Sequence, residues 1–469
     1  MQRSGLAALA ATGLYGLVDE LAAAPARASA SSVAPLPEQH LLQNVAVLEE
    51  NDVEVVVPPL HHQIVTATLE VDGGRRELRD AQRALEQALA RLDESYPATP
   101  SGLGLTIGWG LPYFREHVRR LADGRRFPSY LPLDHRASRT AGKPQSALLD
   151  SVRFPSDPDD VQLEQNDVCI LLRSDTLRHI TAATKSLFDD TKGLLQITSI
   201  RRGFIGGRPG ALSLPKQMAM RAGIPAAELI PDTAQLFLGF TSSQKQALGP
   251  SLIANLETLP GLTDQWPRGY FRHGTTMHLS HLHEDLETWY TSFSYERRVW
   301  ATFAPGLSVA DGTQTVNQGP QSVETENDVA YDAVNFKLVG HSGAIQPASR
   351  LAGEVVDNYR IHNPAGTSVI QRADFNTLDN PFFWSSRPAV DRVASAPAAG
   401  LHFVAFAATS DSFHRARLAM DGRYGGRSRT PFTPRAEEQG MNSVLRTTHR
   451  QNFLVPPRRH RSFPLVELL

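Results

Sequence analysis

The side chains able to do chemistry in this chain are few and scattered. His278, His281, His283 and Glu284 stand in one short stretch. On a strand, His281 and His283 share a face, and alternate side chains of this kind can grip a metal ion. No fourth ligand follows at a convincing spacing, so the plainer reading is ordinary strand and helix-start residues. Cys169 is the single cysteine. It cannot form an internal disulfide, and a Cys-based zinc or iron–sulfur site is excluded. It lies in the apolar run Val168-Cys169-Ile170-Leu171-Leu172 and reads as core, not as a reactive thiol. Arg458-Arg459-His460-Arg461, with Arg446 and Arg450, could meet a polyanion, or dock as a tail on an acidic surface. His61-His62, after Pro58-Pro59, reads as loop. Gly203-Phe204-Ile205-Gly206-Gly207 is followed by no Lys-Ser/Thr and opens no helix, so it is not a phosphate loop. No Gly-x-Ser-x-Gly elbow occurs, so a serine hydrolase has no support.

The elements that must position these residues follow from periodicity. Gln63–Leu69 alternates and is β-branched, which predicts a strand. Arg75 to Leu92 carries Leu78, Ala81, Leu85, Leu89 and Leu92 at helical spacing. Leu103–Gly110 is a strand, and a polar, Pro-rich stretch covers about 123–160. Asp167–Asp175 is a strand, Thr176–Phe188 a helix and Leu194–Ile200 a strand. The order β-α-β, repeated, is ferredoxin-like: two helices cover one face of an antiparallel sheet. The second half repeats the idea. Thr275–Leu282 is a strand and His283–Phe303 a helix, with Leu286, Trp289, Tyr290, Phe293 and Val299 near one face. Residues 304–368 read as irregular. Ser368–Arg372 and Leu401–Ala407 are strands, Ser412–Met420 is a helix, and the tail from Asp421 shows little periodicity. The expectation is an α+β chain of two ferredoxin-like domains, residues 61–235 and 236–469, behind a linker over 31–60.

With 469 residues, two core-forming units are the natural prior. The 47 basic and 49 acidic residues leave a net charge of −2, which argues against a dedicated nucleic-acid binder. No stretch is long and apolar enough to span a membrane. Residues 1–30 resemble a signal peptide: Arg3, a small-residue apolar run from Leu6 to Val18, then small-x-small sites between Ala24 and Ala30. That predicts export to the periplasm or the outside, with the twin-arginine route suiting the mild hydrophobicity although no Arg-Arg pair is present. An amphipathic N-terminal helix on a cytoplasmic protein is the alternative.

Several segments, in order, resemble landmarks of the dye-decolourising (DyP-type) peroxidases. Leu103–Phe114 resembles their first-domain strand and turn, Asp167–Asp175 the next strand, and Ile200-Arg201-Arg202-Gly203-Phe204 its partner's end. Gly274–His278 through Trp289 to Phe303 resembles a strand–helix unit. Ile370-Gln371-Arg372 and Gly400–Phe406 resemble the last pair of strands. The resemblance spans about 300 residues by order and spacing, and Arg446–Leu469 has no counterpart.

The resemblance implies two ferredoxin-like domains in a dimeric α/β-barrel-like arrangement, with haem b bound in the second. Partners would be haem, hydrogen peroxide and an organic electron donor, with homo-oligomerisation left open. A histidine would hold the iron, and an arginine and the aspartate of a Gly-x-x-Asp-Gly motif would face the peroxide. Arg372 matches the arginine. Gly239-Phe240-Thr241-Ser242-Ser243 falls at the motif, so Ser242 stands in place of the aspartate. A serine hydroxyl does not titrate usefully near neutral pH, and a lost general base costs ~10²–10⁴-fold unless another group stands in. Asp232 and Asp374 are candidate substitutes. For the iron ligand, His341 in Val339-Gly340-His341-Ser342-Gly343-Ala344 comes first and His362 second; a loop histidine bonded to backbone is the bland alternative for His341. The tail arginines could also pair with haem propionates. Trp289, Tyr290 and Trp300 could relay electrons or simply be core. A haem-dependent peroxidase, a non-catalytic haem-binding protein and a haem-free protein of the same fold are the functions this resemblance leaves open.

Overall fold

The computed structural model describes residues 42–71, 74–119, 130–206, 212–241, 256–318, 323–379, 384–394 and 396–469, with Tyr15, Leu17, Val18 and Leu21 of the N-terminal segment. In the first half, β1 (His61–Leu69) leads to α1 (Arg75–Ser95), whose buried stripe is Leu78, Ala81, Leu85, Ala88, Leu89 and Leu92. β2 (Gly104–Gly110), β3 (Val168–Ser174), α2 (Leu177–Asp190) and β4 (Leu195–Phe204) follow. The strands lie antiparallel in the order β4-β1-β3-β2. Both helices cover one face, because their apolar stripes must be buried against the β-branched outer face of the sheet.

The second half contains β5 (Thr275–Glu284), α3 (Leu286–Thr291), α4 (Tyr295–Thr302) and α5 (His341–Ser349). β6 (Ile370–Arg372), β7 (Phe375–Asp379), β8 (Ala398–Ala407), α6 (Ser410–Met420) and β9 (Leu445–Val455) complete it. β8 pairs with β6 and β7 on one edge and β5 on the other, and β5 pairs in turn with β9, all antiparallel. The fold class is therefore α+β with antiparallel sheets covered by helices.

The two sheets meet edge to edge. Asn376 of β7 pairs with Phe204 of β4, while Phe453 and Leu454 of β9 pair with Gly110 and Trp109 of β2. These two narrow seams close the strands into a barrel. Its interior is apolar around Ile64, Cys169, Leu171, Met277, Leu279 and Phe453. Burial pushes the Cys169 thiol far up, as expected of a core cysteine. Further along the same interior the lining is polar. His281 Nε2 lies 3.1 Å from Asp379 Oδ2, and the Arg201 guanidinium sits 4.7 Å above the Trp384 ring.

Several sequence expectations are corrected here. Part of the expected linker forms a hairpin, Ala46–Glu50 with Val53–Val57. His61 and His62 are buried strand residues, not loop. The expected helix from His283 is two helices, and β5 runs on to Glu284. Residues 304–368 hold the helix Glu326–Asn335, opened by a capping box from Thr325 and Asp328, as well as α5. The tail contributes β9, one of the longest strands. Its final residues dock on α1: Arg461 pairs with Glu86 at 2.9 Å and Asp93 at 2.7 Å, Arg458 with Asp93 at 2.6 Å, and Trp109 Nε1 donates to the Arg461 carbonyl. For Arg458 and Arg461 the docked-tail alternative is the one observed. Most of residues 1–30, read as a leader, lies outside the described residues. Within it Tyr15 and Val18 are buried in the second core, and the Tyr15 hydroxyl donates to the Leu378 carbonyl at 3.4 Å.

Candidate functional site

Between the second sheet and its covering helices is a cavity with about 1480 Å³ of empty space, mouth included. The strand period of two places Ser280, Leu282 and Glu284 of β5 on its floor, beside Ile370 and Arg372 of β6 and Leu401 and Phe403 of β8. The opposite wall is helical: His341 and Ile345 from α5, Phe413, Ala416 and Arg417 from α6. Leu238, Phe240 and Thr241 form the rim.

His341 is the first residue of α5. The preceding Gly340 lets that helix press against α4, since a Cβ there would lie 2.1 Å from the Phe303 carbonyl oxygen. The same oxygen accepts from the Gly343 amide at 2.8 Å. His341 Nδ1 is out of solvent and has no hydrogen-bond partner. Burial, then the charges of Arg372 and Arg417, lower the imidazole to about 4. The ring is thus neutral at ordinary pH, the state that can donate a lone pair to a metal.

Arg372 ends β6 on the floor of the same cavity. Arg350, Arg417 and Arg450 also line it. Arg417 pairs with Asp421 at 2.8 Å, and Arg450 with Asp157 at 2.5 Å. Arg450 is almost wholly buried, yet its Nε and Nη1 have no partner. Two carboxyl groups face these cations. Asp374 follows Arg372 at the spacing that keeps both on one face, and Glu284 closes β5; both line the cavity and both are buried. Glu284 Oε2 has no partner. Desolvation, with the charges of Asp374 and Asp379 adding to it, raises the Glu284 carboxyl to about 8.

The expected site residues separate as follows. His341, Arg372 and Asp374 come together in one cavity. His362 is elsewhere: it lies exposed on a two-residue strand, 2.9 Å from Glu354, and does not join the cavity. Asp232 is likewise a surface partner of Lys216, at 2.7 Å. Ser242 lies outside the described residues. The segment leading to it reaches the rim with Phe240 and Thr241, and Gly239 before them has a φ of +88°, with the Tyr290 hydroxyl 2.9 Å from where a Cβ would be. Of the histidine run, His281 and His283 do share a face, and it is the face away from the cavity. His278 stacks on Phe413 with ring centroids 3.5 Å apart, and its Nδ1 lies 2.7 Å from Asn452 Oδ1. Among the described residues no group of three or more His, Cys, Asp or Glu side chains is arranged to hold a metal ion. Trp289 and Tyr290 are core residues with their polar atoms on the Leu238 and Phe237 carbonyls. Sequence reasoning named Glu284 only as part of the histidine run and missed its place in this cavity. Two more residues of alternation after Leu282 would have put it on the face of Ser280.

A haem needs one imidazole nitrogen, apolar walls for its ring and cations for its carboxylates. The orphaned His341 Nδ1, the leucine and phenylalanine walls and the arginine-rich lining fit those needs. No helix among the described residues is long and apolar enough to cross a membrane.

A family model described as "Family of unknown function (DUF7405)" matches residues 59–457. No curated protein matches the chain. Among solved structures, the DyP-type peroxidase from Cellulomonas bogoriensis is similar at 16% identity, over 90% of this chain and 96% of that one, with a TM-score of 0.51. A DypB variant from Rhodococcus jostii RHA1 in complex with heme is similar at 12% identity, over 86% of this chain and 96% of that one, with a TM-score of 0.47. At such identity the likeness to the first shows the fold, and the fold alone.

Proposed function

This chain belongs to the DUF7405 family, a family of unknown function, and we propose that it is a haem-dependent, peroxidase-like oxidoreductase that reduces hydrogen peroxide with an organic electron donor. The observation that carries this reading is the meeting of His341 and Arg372 in one cavity, the first from the helices and the second from the sheet. Haem, when bound, supplies a redox-active iron able to pass electrons between donor and peroxide. His341 would provide the nitrogen that holds the iron, and its low proton affinity keeps that lone pair available at neutral pH. The apolar walls exclude water. Arg372 cannot lose its proton, so it would stabilise negative charge that develops as the peroxide bond breaks. Arg350 and Arg450 are placed to meet carboxylates at the cavity wall.

The test is spectroscopic. The protein produced with haem supply should show a Soret band, and His341→Ala should lose the histidine-ligated spectrum while His362→Ala should not. Peroxide should then change the band. A specific observation favours a second reading, a non-catalytic haem-binding protein: Ser242 stands where the family resemblance calls for an aspartate. A Soret band indifferent to peroxide would support that second reading, and the lack of any Soret band would remove both.

A further inference from the structure

The unsolved part of this site is the proton. Two carboxyl groups lie buried in the cavity, and neither belongs to the motif that Ser242 interrupts. Asp374 stands two residues beyond Arg372, so both side chains leave the backbone toward the same cavity. Glu284 reaches it from the end of β5, with Oε2 unpartnered and the side chain nine-tenths or more buried. Buried carboxyls that line one cavity and sense each other's charge do not ionise together readily, and one tends to keep its proton. The charged and titratable neighbours of Glu284 are Asp374 and Asp379 from the sheet and the Tyr290 hydroxyl from α3.

We propose that Asp374 and Glu284 form the proton-handling pair of this cavity, Asp374 as the catalytic acid–base beside Arg372 and Glu284, further along the same sheet face, as the residue that acts through the charge of Asp374. This inference rests on the peroxidase reading above. In the peroxide step Asp374 takes the proton from one peroxide oxygen and returns it to the other. The O–O bond breaks and the second oxygen leaves as water. Haem, when bound, would supply the path for the two electrons, which two donor molecules provide, each giving one electron and one proton. Overall, one peroxide and two reduced donors yield two waters and two oxidised donors. Glu284, which the charge of Asp374 helps to keep protonated, holds a proton in the pair without adding a second negative charge.

The experiment compares wild type, Asp374→Asn, Glu284→Gln and Glu284→Asp, each tested with and without haem. In the haem-loaded protein Asp374→Asn should retain the Soret band and react with peroxide ~10²–10⁴-fold more slowly. Glu284→Gln should change the pH profile of that reaction more than its maximum, and Glu284→Asp should restore the wild-type profile in part. In the haem-free protein the folded carboxyl of Glu284 binds its proton more tightly than the unfolded one. Wild type should therefore lose stability as pH rises from about 4.5 to about 8. Against Glu257→Gln as background, which removes the overlapping share of Glu257, Glu284→Gln should remove the part of the slope that extends to about 8, and Asp374→Asn should move that part to lower pH. Asp374→Asn reacting as fast as wild type overturns the catalytic assignment, and a haem-free pH slope unmoved by Asp374→Asn overturns the pair. A wild type that never binds haem overturns the peroxidase reading and the catalytic role with it, while the haem-free slope still decides whether the two carboxyls are coupled.

Discussion

The imidazole of His341 and the guanidinium of Arg372 reach one cavity from two walls, and the charge of Arg372 adds to burial in keeping His341 neutral. The relationship joins imidazole and guanidinium electrostatically as well as spatially. Arg372→Ala should slow the reaction with peroxide by ~10²–10³-fold, the usual loss for one pre-placed donor at a developing charge. In the haem-free protein the same change should raise the proton affinity of His341, read by NMR titration of its ring. An unmoved titration would show that the two groups do not sense each other.

Gly340→Ala is a test of how α5 is seated. The new methyl would meet the Phe303 carbonyl, a backbone atom that cannot swing aside. α5 should shift, with a stability loss of about 1–3 kcal/mol as for other overpacked sites. Haem affinity should fall further than in Ser342→Ala, which removes from the cavity wall a hydroxyl that donates to Gln318 at 2.7 Å without shifting the backbone. Equal haem titrations for the two variants would contradict this seating.

Glu257 sets a second pH dependence, remote from the cavity. Its Oε1 lies 3.0 Å from His273 Nδ1 and also accepts from the Tyr359 hydroxyl, while Oε2 is orphaned. Burial raises its carboxyl to about 7. The folded state thus holds a proton that the unfolded state releases near pH 4.5. Stability from this group is complete below that pH and is lost as pH rises to 7. Relative to Glu257→Gln, wild type should lose about 3 kcal/mol across the window. Parallel denaturation curves at pH 5 and pH 8 would rule the effect out.

Arg450 and Asp157 form a pair with almost no solvent contact. Removing one partner strands the other, so Arg450→Ala should cost about 3–5 kcal/mol in urea denaturation. Asp157 keeps a bond from the Phe154 amide at 2.7 Å and a longer contact with Arg417 at 3.4 Å, which sets the lower end of that range. A loss under about 1 kcal/mol would place the pair among surface-like bridges.

Most of the first half was legible because its strands face helices on one side, so apolar alternation and an apolar helix stripe tell the same story. β9 was hidden for a physical reason. Thr448, His449, Arg450, Gln451 and Asn452 are polar and all buried, lining polar stretches on both faces, so hydrophobic periodicity had nothing to register. The helix expected from His283 absorbed Glu284, and a residue placed on a helix gives no hint of a sheet face. His341 was found through its small neighbours, though Gly340 and Gly343 serve helix seating. Arg372 was implied by the family resemblance, and Asp374 was one of two substitutes offered beside it, the other, Asp232, lying at the surface. Burial of Glu284 depends on chain segments hundreds of positions apart, which no local window contains.

β9 supplies Leu445, Thr447 and Arg450 to the cavity and also makes one of the two seams. A nascent chain on the ribosome lacks this wall until Leu445–Val455 has emerged. Until then β5 has a bare edge and the barrel stands open along one side. A cofactor held in this cavity would therefore meet a complete wall only after translation of that strand, and a chain arrested before residue 445 would expose an apolar interior to quality control instead of offering a closed pocket.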